Sequence, residues 1–483
     1  MQTIFKVFVF FFMMVFWNIM MIHAQEGSSL AGNWQGTLKV SGMELRVVFH
    51  IREGADGAFT GTMDSPDQGA AGIPVSAVLQ DGQQVTFEIE AIKGSFQGTL
   101  SQDGNRINGE WRQLGSRLPL ELEKTNQPAE IKRPQEPRPP YPYRIEEITF
   151  PNEDAGIHLA GTLTLPDTSS PVPAVILVSG SGPQDRDETL MGHKPFWVLA
   201  DYLTSRGIAV LRYDDRGIGQ SEGDFKTATL TDFVNDVLAG LAYLRTRKEV
   251  DPDRIGVIGH SEGAWIAPEV AVKDGKVAFL VLLASPGVSG EELLLLQNRA
   301  ILKASGFSDT FIDKQLRIQK KTFQVLKSAK SDSVARERIR ALNRQFLESL
   351  SPEERERLEQ QGSSEALLEA RLPILVSPWF RQLLTYDSRP VLARVSCPIL
   401  ALNGSKDLQV PSRINLSNIE RVLKESGHKN FVIKELPGLN HLFQHAETGL
   451  PNEYAKIEET FAPEALEEIS TWILKLANEK RGQ

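Results

Sequence analysis

A Gly-x-Ser-x-Gly motif at residues 259–263 constrains this chain more than any other feature. The motif directly follows the apolar run 254–258, which predicts a buried strand, and precedes an apolar helical pattern that opens at Ala264. Glycines on both sides of a serine allow the tight, strained strand-to-helix turn that exposes the serine hydroxyl. The motif therefore predicts Ser261 as a nucleophile at the edge of a sheet.

An acid and then a histidine follow in the chain order expected for this topology. A serine hydroxyl is a weak nucleophile until an oriented base takes its proton. Asp407 follows the predicted strand 398–402 through a short turn, and His441 follows the predicted strand 431–436 through a Pro-Gly loop. Catalytic residues of parallel sheets gather just beyond the C-terminal ends of strands. We therefore expect Asp407 to orient His441, and His441 to act as the base.

Alternatives remain at these positions. Asp is common in turns, so Asp407 also fits a solvated turn residue. His445 competes with His441, because side chains four residues apart can share one face of a helical turn. His260 directly precedes the serine, and this position favours packing beside the turn over a role as the base.

The negative charge that develops on a carbonyl oxygen during such chemistry needs backbone N–H donors. The N–H of Glu262, which follows the nucleophile, is one expected donor. The other should come from the glycine-rich loop 179–183, which follows the predicted strand 172–178. We expect this second donor at Ser181, with Gly182 as the competitor and a plain turn as the alternative.

Four linked motifs lie between Tyr143 and the end of the chain. They are Ser-Gly-Ser-Gly-Pro-Gln-Asp-Arg-Asp-Glu at 179–188, Arg-Tyr-Asp-Asp-Arg-Gly-Ile-Gly at 212–219, Gly-His-Ser-Glu-Gly at 259–263 and Gly-Leu-Asn-His-Leu-Phe-Gln at 438–444. With these motifs the chain resembles the bacterial α/β-hydrolase superfamily, specifically a group of exported serine esterases. The resemblance implies an α/β-hydrolase sheet and ester hydrolysis through an acyl-enzyme, with no metal or other cofactor. Ser179 departs from the pattern, since many relatives carry His there.

The first residues have the pattern of a secretory signal peptide. Lys6 precedes the apolar residues 7–22, and Ala24 supplies a small residue at the cleavage position. We expect removal of residues 1–24 and export to the periplasm or beyond, with no stable membrane association afterwards. An uncleaved membrane anchor is the alternative, because the apolar run approaches spanning length.

The residues after the signal segment have a different sequence pattern. Residues 28–126 contain alternating apolar and polar positions and Asp-Gly turns, which predict a small all-β domain, either a barrel or a sandwich. Trp34 and Trp111 either close its core or form a sugar or lipid platform. The proline-rich stretch 127–142 predicts an extended, semi-rigid linker.

Strand and helix patterns alternate through residues 143–483, which is typical of an α/β fold with a mostly parallel sheet. A long stretch between two predicted strands has helical patterns of its own, and we interpret residues 289–390, approximately, as a helical cap. Trp379 and Phe380 return from this cap toward the sheet. They are candidates for a hydrophobic wall of an acyl pocket, with plain cap packing as the alternative.

Composition limits the function further. The net charge of −9 disfavours a nucleic-acid partner, which would require a basic patch. The single cysteine, Cys397, excludes an internal disulfide and predicts a buried structural thiol. The sequence therefore predicts a serine hydrolase for small-molecule esters with short-to-medium acyl chains. A serine peptidase or acyl-peptide hydrolase is the alternative, and an inactive binding protein is a more distant one.

Overall fold

The computed structural model of the chain describes residues 29–40, 43–113, 116–130, 132–360 and 365–479. The predicted signal peptide lies outside the described residues. The chain divides into two compact units, the first ending at Glu130 and the second comprising residues 67–69 and the chain beyond it. Among the helices within these ranges, none is both long enough and apolar enough to cross a bilayer.

The first unit is a nine-stranded antiparallel sheet. Its strands are β1 (Gly32–Val40), β2 (Met43–Glu53), β3 (Phe59–Ser65), β4 (Ala70–Val75), β5 (Ala77–Asp81), β6 (Gln84–Ile89), β7 (Gly94–Leu100), β8 (Arg106–Gln113) and β9 (Ser116–Thr125). They lie in the order β4-β3-β2-β1-β9-β8-β7-β6-β5, and the two ends meet where β3 contacts β5 and β4 contacts β6. The sheet is thus barrel-like, which confirms the predicted all-β fold.

Trp34 on β1 and Trp111 on β8 lie in the core of this sheet. Trp34 is fully buried and Trp111 is 2% exposed, and they pack among apolar side chains that include Phe49 and Phe87. The indole N–H of Trp34 donates to the carbonyl of Leu30 at 2.7 Å, so its one polar atom is also satisfied. The interpretation as a core pair therefore holds, and the exposed platform is wrong.

The second unit is built on an eight-stranded sheet. Its strands are β10 (Tyr143–Asn152), β11 (Ile157–Pro166), β12 (Val172–Val178), β13 (Ala209–Tyr213), β14 (Val250–His260), β15 (Leu280–Leu283), β16 (Ile399–Gly404) and β17 (Phe431–Leu436). The order is β10-β11-β13-β12-β14-β15-β16-β17; β11 is antiparallel to both neighbours, and the strands from β13 to β17 are parallel. The predicted mostly parallel α/β sheet is confirmed.

Helices cover this sheet and build the cap. They are α1 (Pro195–Thr204), α2 (Leu230–Thr246), α3 (Gly263–Asp274), α4 (Gly290–Ala304), α5 (Asp309–Ser328), α6 (Asp332–Glu348), α7 (Pro352–Gln360), α8 (Glu365–Leu375), α9 (Pro378–Thr385), α10 (Arg389–Leu392), α11 (Ser412–Glu425) and α12 (Pro463–Glu479). Helices α4 to α10 lie between β15 and β16, which confirms the helical cap. Cys397 is only half-buried, contrary to the prediction, because it precedes the first residue of β16.

Arg133, within the stretch predicted as a linker, is bound to the second unit. Its side chain is 8% exposed, and its guanidinium donates to the carbonyls of Met191, Gly192, Ala455 and Ile457 at 2.9–3.1 Å. These four acceptors come from two segments that are far apart in sequence. Arg133 therefore joins the loop before α1 to the segment before α12.

Replacing Arg133 by Ala should destabilise the second unit. The substitution leaves the buried carbonyl of Ala455 and three half-buried carbonyls without this donor, which costs about 3 kcal/mol of unfolding free energy. Arg133→Lys should recover only part of this loss, because one ammonium group cannot reproduce the planar fork. The measurement is urea unfolding followed by tryptophan fluorescence. Arg138→Ala, at an exposed arginine of the same stretch, is the control, and equal stability of the two Ala variants would contradict the assignment.

Candidate active site

Ser261 lies on a strained turn between β14 and α3. Its backbone has φ = +53°, a left-handed conformation that side-chain-bearing residues rarely adopt. A Cβ on Gly259 would lie 2.2 Å from the carbonyl oxygen of Gly263, and a Cβ on Gly263 would lie 2.1 Å from that of Val178. Both motif glycines are therefore required by packing, and the turn they permit carries the serine.

Asp407 and His441 form a buried pair at the ends of β16 and β17. His441 Nδ1 lies 2.8 Å from Asp407 Oδ2, and the two residues are 5% and 3% exposed. The other carboxylate oxygen of Asp407 accepts the backbone N–H groups of Gln409 and Val410, each at 2.8 Å. Asp407 is thus buried and fixed rather than a solvated turn residue. A carboxylate at Nδ1 holds the proton there and leaves Nε2 of His441 as the acceptor.

The two alternative histidines, His445 and His260, bind other partners. His445 is exposed and pairs with Glu459 at 3.0 Å and Glu464 at 2.9 Å. His260 is buried, with Nδ1 at 2.8 Å from Glu188 Oε1 and Nε2 at 2.9 Å from the backbone carbonyl of His441. Neither histidine takes the position that the sequence assigned to His441.

The backbone donors near Ser261 differ in what they bind. The N–H of Gly180 donates to Glu188 Oε1 at 2.7 Å, so it is occupied within the protein. In the described part of the chain, the N–H groups of Ser181, Gly182 and Glu262 donate to no protein acceptor. Ser181 and Gly182 therefore both remain available as the second donor beside Glu262.

The side chain of Glu262 is a buried carboxyl without a cationic partner among the described residues. It is 7% exposed, and its Oε1 accepts the indole N–H of Trp379 at 2.8 Å. Burial raises the pKa of Glu262 to about 7, and the hydrogen bond from Trp379 only partly opposes this. Trp379 thus has a polar function that the sequence did not indicate, since it connects cap helix α9 to the residue after Ser261.

Two cavities of the second unit differ in position and size. A small one, with room for roughly one water molecule, is lined by Gly180, Gly182, Asp215, Phe225 and Glu262 among others. A larger one of about 580 Å³ lies among the cap helices, and Phe380 is part of its wall. Phe380 thus lines the cap cavity, whereas its neighbour Trp379 binds Glu262.

Charged residues of the 179–188 and 212–219 motifs brace the loops around Ser261. Asp214 accepts three hydrogen bonds from Arg186, at 2.8–3.0 Å. Asp215 accepts the hydroxyl of Ser179 at 3.3 Å and the backbone N–H of Gln184 at 3.0 Å. These contacts join the loop after β12 to the loop after β13, so the motif charges act on loop geometry.

Glu188 is the buried group of this site that sequence reasoning missed. It was visible only as the last letter of the 179–188 motif, with no periodicity or spacing to indicate a role. The structure buries it at 4% exposure between Gly180 and His260. A buried acid whose partners lie in other segments is a tertiary feature, and local pattern carries little signal for it.

The raised pKa of Glu262 predicts a pH-dependent loss of stability. The unfolded chain releases this proton near pH 4.5, whereas the folded protein keeps it up to about pH 7. The stabilisation is therefore fully present below pH 4.5 and is lost as the pH rises through 7. Relative to Glu262→Gln, which still offers an oxygen to Trp379, the wild type should lose about 3 kcal/mol of unfolding free energy across this range. Urea unfolding of both proteins from pH 4 to 8.5 measures this, and parallel curves would contradict it.

Comparison with known proteins found a family model that matches the segment containing Ser261. A family model described as Hydrolase_4, serine aminopeptidase S33, matches residues 195–351, which include Ser261 but neither Asp407 nor His441. Esterase EstD of Thermotoga maritima is 29% identical over 339 residues, which cover 69% of this chain and 70% of EstD. Esterase FrsA of Yersinia pestis is 34% identical over 127 residues, covering 26% of this chain and only 28% of FrsA.

Among solved structures, Est1E from Butyrivibrio proteoclasticus with bound ferulic acid aligns with a TM-score of 0.39 and 16% identity, covering 70% of this chain and all of Est1E. The sheet order, the elbow at Ser261 and the similarity to EstD over 69% of this chain support the same assignment. The chain is a carboxylesterase-type hydrolase with an α/β-hydrolase fold.

Proposed function

We propose that the chain hydrolyses carboxylic esters with short-to-medium acyl chains through an acyl-enzyme formed on Ser261. The observation that supports this most is the buried Asp407–His441 pair. It lies at the same edge of the parallel sheet as the strained turn of Ser261. A serine, an oriented histidine and a buried acid are the groups that nucleophilic acyl transfer requires.

In the proposed first half-reaction, His441 Nε2 takes the proton of Ser261 as its oxygen attacks the ester carbonyl. The new C–O bond displaces the carbonyl electron pair onto oxygen, and the N–H of Glu262 and that of Ser181 or Gly182 stabilise this oxyanion. As the tetrahedral species collapses, the alcohol leaves with the proton from His441. Asp407 stabilises the imidazolium throughout and keeps its own charge.

In the second half-reaction, water replaces the alcohol. His441 takes a proton from the water as it attacks the acyl-enzyme, and the same N–H groups stabilise the second oxyanion. Collapse breaks the bond to Ser261 and returns the proton to its oxygen. The acid is released, and the free enzyme is regenerated without a cofactor.

The cap cavity supports a small molecule as substrate. Its volume falls in the range of roughly 300–1,000 Å³ that is typical of small-molecule sites. Its lining, mostly apolar with several carboxamide groups, suits an ester. The space beside Glu262 and Gly180 holds roughly one water molecule and is too small for an acyl chain.

A serine aminopeptidase is the second candidate. The family model that matches residues 195–351 carries that description. An aminopeptidase needs a negative group near the nucleophile to bind the substrate's α-ammonium, and Glu262 is a carboxyl at that place. Its bond to Trp379 and its raised pKa weigh against this role, because the carboxyl is already engaged and only partly charged at neutral pH.

We also propose that the enzyme acts after export. The proposal depends on the order of Lys6, the apolar residues 7–22 and Ala24 at the start of the chain. N-terminal sequencing of the protein recovered from the periplasm of an expressing cell would show whether the chain starts at Gln25.

Substrate class can be tested with wild type and Ser261→Ala on p-nitrophenyl esters and p-nitroanilides from acetyl to decanoyl. We expect rapid turnover of the shorter esters, little anilide cleavage, and a loss on the order of 10⁴-fold or more in Ser261→Ala. Anilide turnover that matches or exceeds ester turnover would favour the peptidase. Ester turnover that survives in Ser261→Ala would contradict the mechanism.

The assignment of the base can be tested with a matched pair of histidines. His441→Ala should lose activity on the order of 10⁴-fold or more, because it removes the group proposed to take the serine proton. His445→Ala, four residues further on and exposed, should retain wild-type kcat and KM. Both are measured on p-nitrophenyl acetate, and comparable losses in the two variants would show that the base is misassigned.

A further inference from the structure

Glu188 and His260 form a buried ion pair that the proposed mechanism does not use. They are 4% and 6% exposed, and Glu188 Oε1 lies 2.8 Å from His260 Nδ1. Glu188 has a left-handed backbone with φ = +53°, so its side chain reaches this position at a conformational cost. A strained, buried acid beside the nucleophile points to a function of the pair.

The hydrogen-bond partners define the protonation of His260. A backbone carbonyl can only accept, so His260 Nε2 must carry a hydrogen to bind the carbonyl of His441. A carboxylate also only accepts, so Nδ1 carries a hydrogen toward Glu188. Burial alone would lower the pKa of His260, but the charge and hydrogen bond of Glu188 raise it above its usual value. Both ring nitrogens of His260 therefore face acceptors, and Glu188 stabilises the cationic form of the ring.

This pair contacts three parts of the active site at once. Glu188 Oε1 accepts the N–H of Gly180, which directly precedes the candidate donor Ser181. His260 directly precedes Ser261, and its Nε2 holds the backbone of His441. The rings of His260 and His441 have centroids 4.8 Å apart. A Cβ on Gly180 would lie 3.4 Å from Ser261 Cβ and 3.5 Å from His260 Nδ1, so these parts are in close contact.

We propose that Glu188 and His260 are positioning residues, which fix the oxyanion loop and the catalytic histidine relative to Ser261. The proposal rests on the esterase mechanism above. Neither residue touches the reacting atoms. Each acts through a backbone group, Glu188 through the N–H of Gly180 and His260 through the carbonyl of His441. A displacement of about 1 Å at such groups can cost on the order of 10²-fold in rate.

Glu188→Gln removes the negative charge of the side chain and keeps its size and shape. The amide oxygen can still accept the N–H of Gly180, but the side chain no longer neutralises His260. His260 then either loses one of its two hydrogens, and with it one hydrogen bond, or stays charged beside the imidazolium of His441. Both results disfavour the transition state more than the binding of substrate. The loss should therefore appear in kcat rather than in KM.

The test measures p-nitrophenyl acetate hydrolysis by wild type, Glu188→Gln, His260→Gln and the double variant. Active sites are counted with a fluorophosphonate, so that kcat refers to labelled, folded enzyme. We expect kcat per labelled site to fall on the order of 10²-fold in each single variant, with KM within about threefold of wild type. The kcat of the double variant should be no lower than that of the less active single variant, because the two residues act as one unit.

Glu459→Gln is the matched control, because Glu459 pairs with the exposed His445 outside the site. It should keep wild-type kcat and KM. A fall in the number of labelled sites with unchanged kcat per site would mean that the pair serves folding alone and would overturn the proposal. Losses that multiply in the double variant would overturn it as well.

The rate of fluorophosphonate labelling separates this proposal from the proposed function. Labelling requires an activated Ser261 but no ester substrate. If wild type is not labelled, the serine mechanism itself is wrong, and the positioning role falls with it. If wild type is labelled and Glu188→Gln is labelled equally fast, only the positioning role is wrong. Slower labelling of Glu188→Gln supports it.

Discussion

The left-handed backbone at Ser261 is the constraint on which the rest of the second unit depends. A residue with a side chain holds φ = +53° only where its surroundings leave no alternative. Here β14 enters the turn, α3 leaves it, and the two motif glycines fit against backbone carbonyls with no space for a Cβ. The strain is thus supported by the packing of the sheet and helix. The serine can be replaced without disturbing that support, whereas the glycines cannot.

The same sheet brings distant residues to the serine. Strands β14, β16 and β17 are parallel, so the residues after their C-terminal ends meet at one edge. The cap helices are inserted between β15 and β16, which are nevertheless adjacent strands. A long insertion therefore changes the distance along the chain between Ser261 and Asp407 without changing the sheet. Loop length costs little in such a connection, because closure entropy rises only slowly with length.

This geometry explains what the sequence could predict. Ser261, Asp407 and His441 each follow a recognisable strand, so local pattern located them and the topology placed them together. Glu188 and the polar role of Trp379 lack such a signal, because their partners His260 and Glu262 lie in other segments. The all-β fold of the first unit was predicted from alternation and turns, with barrel and sandwich left open. The burial of Trp34 and Trp111 was one of two interpretations, because a tryptophan on a strand has the same sequence pattern in a core as on a binding surface.

The buried acids around Ser261 are of two kinds. Two of them pair with a histidine, and two have no cationic partner among the described residues. Glu188 faces His260, and Asp407 faces His441, which becomes cationic in the proposed mechanism. Glu262 and Asp215 line the small cavity beside Gly180, and burial raises the pKa of both. A full negative charge there would oppose the oxyanion that we propose forms at the N–H of Glu262. Burial disfavours the charged form of both groups, and a pKa of about 7 keeps Glu262 largely neutral below pH 7, which limits the negative charge near the proposed oxyanion.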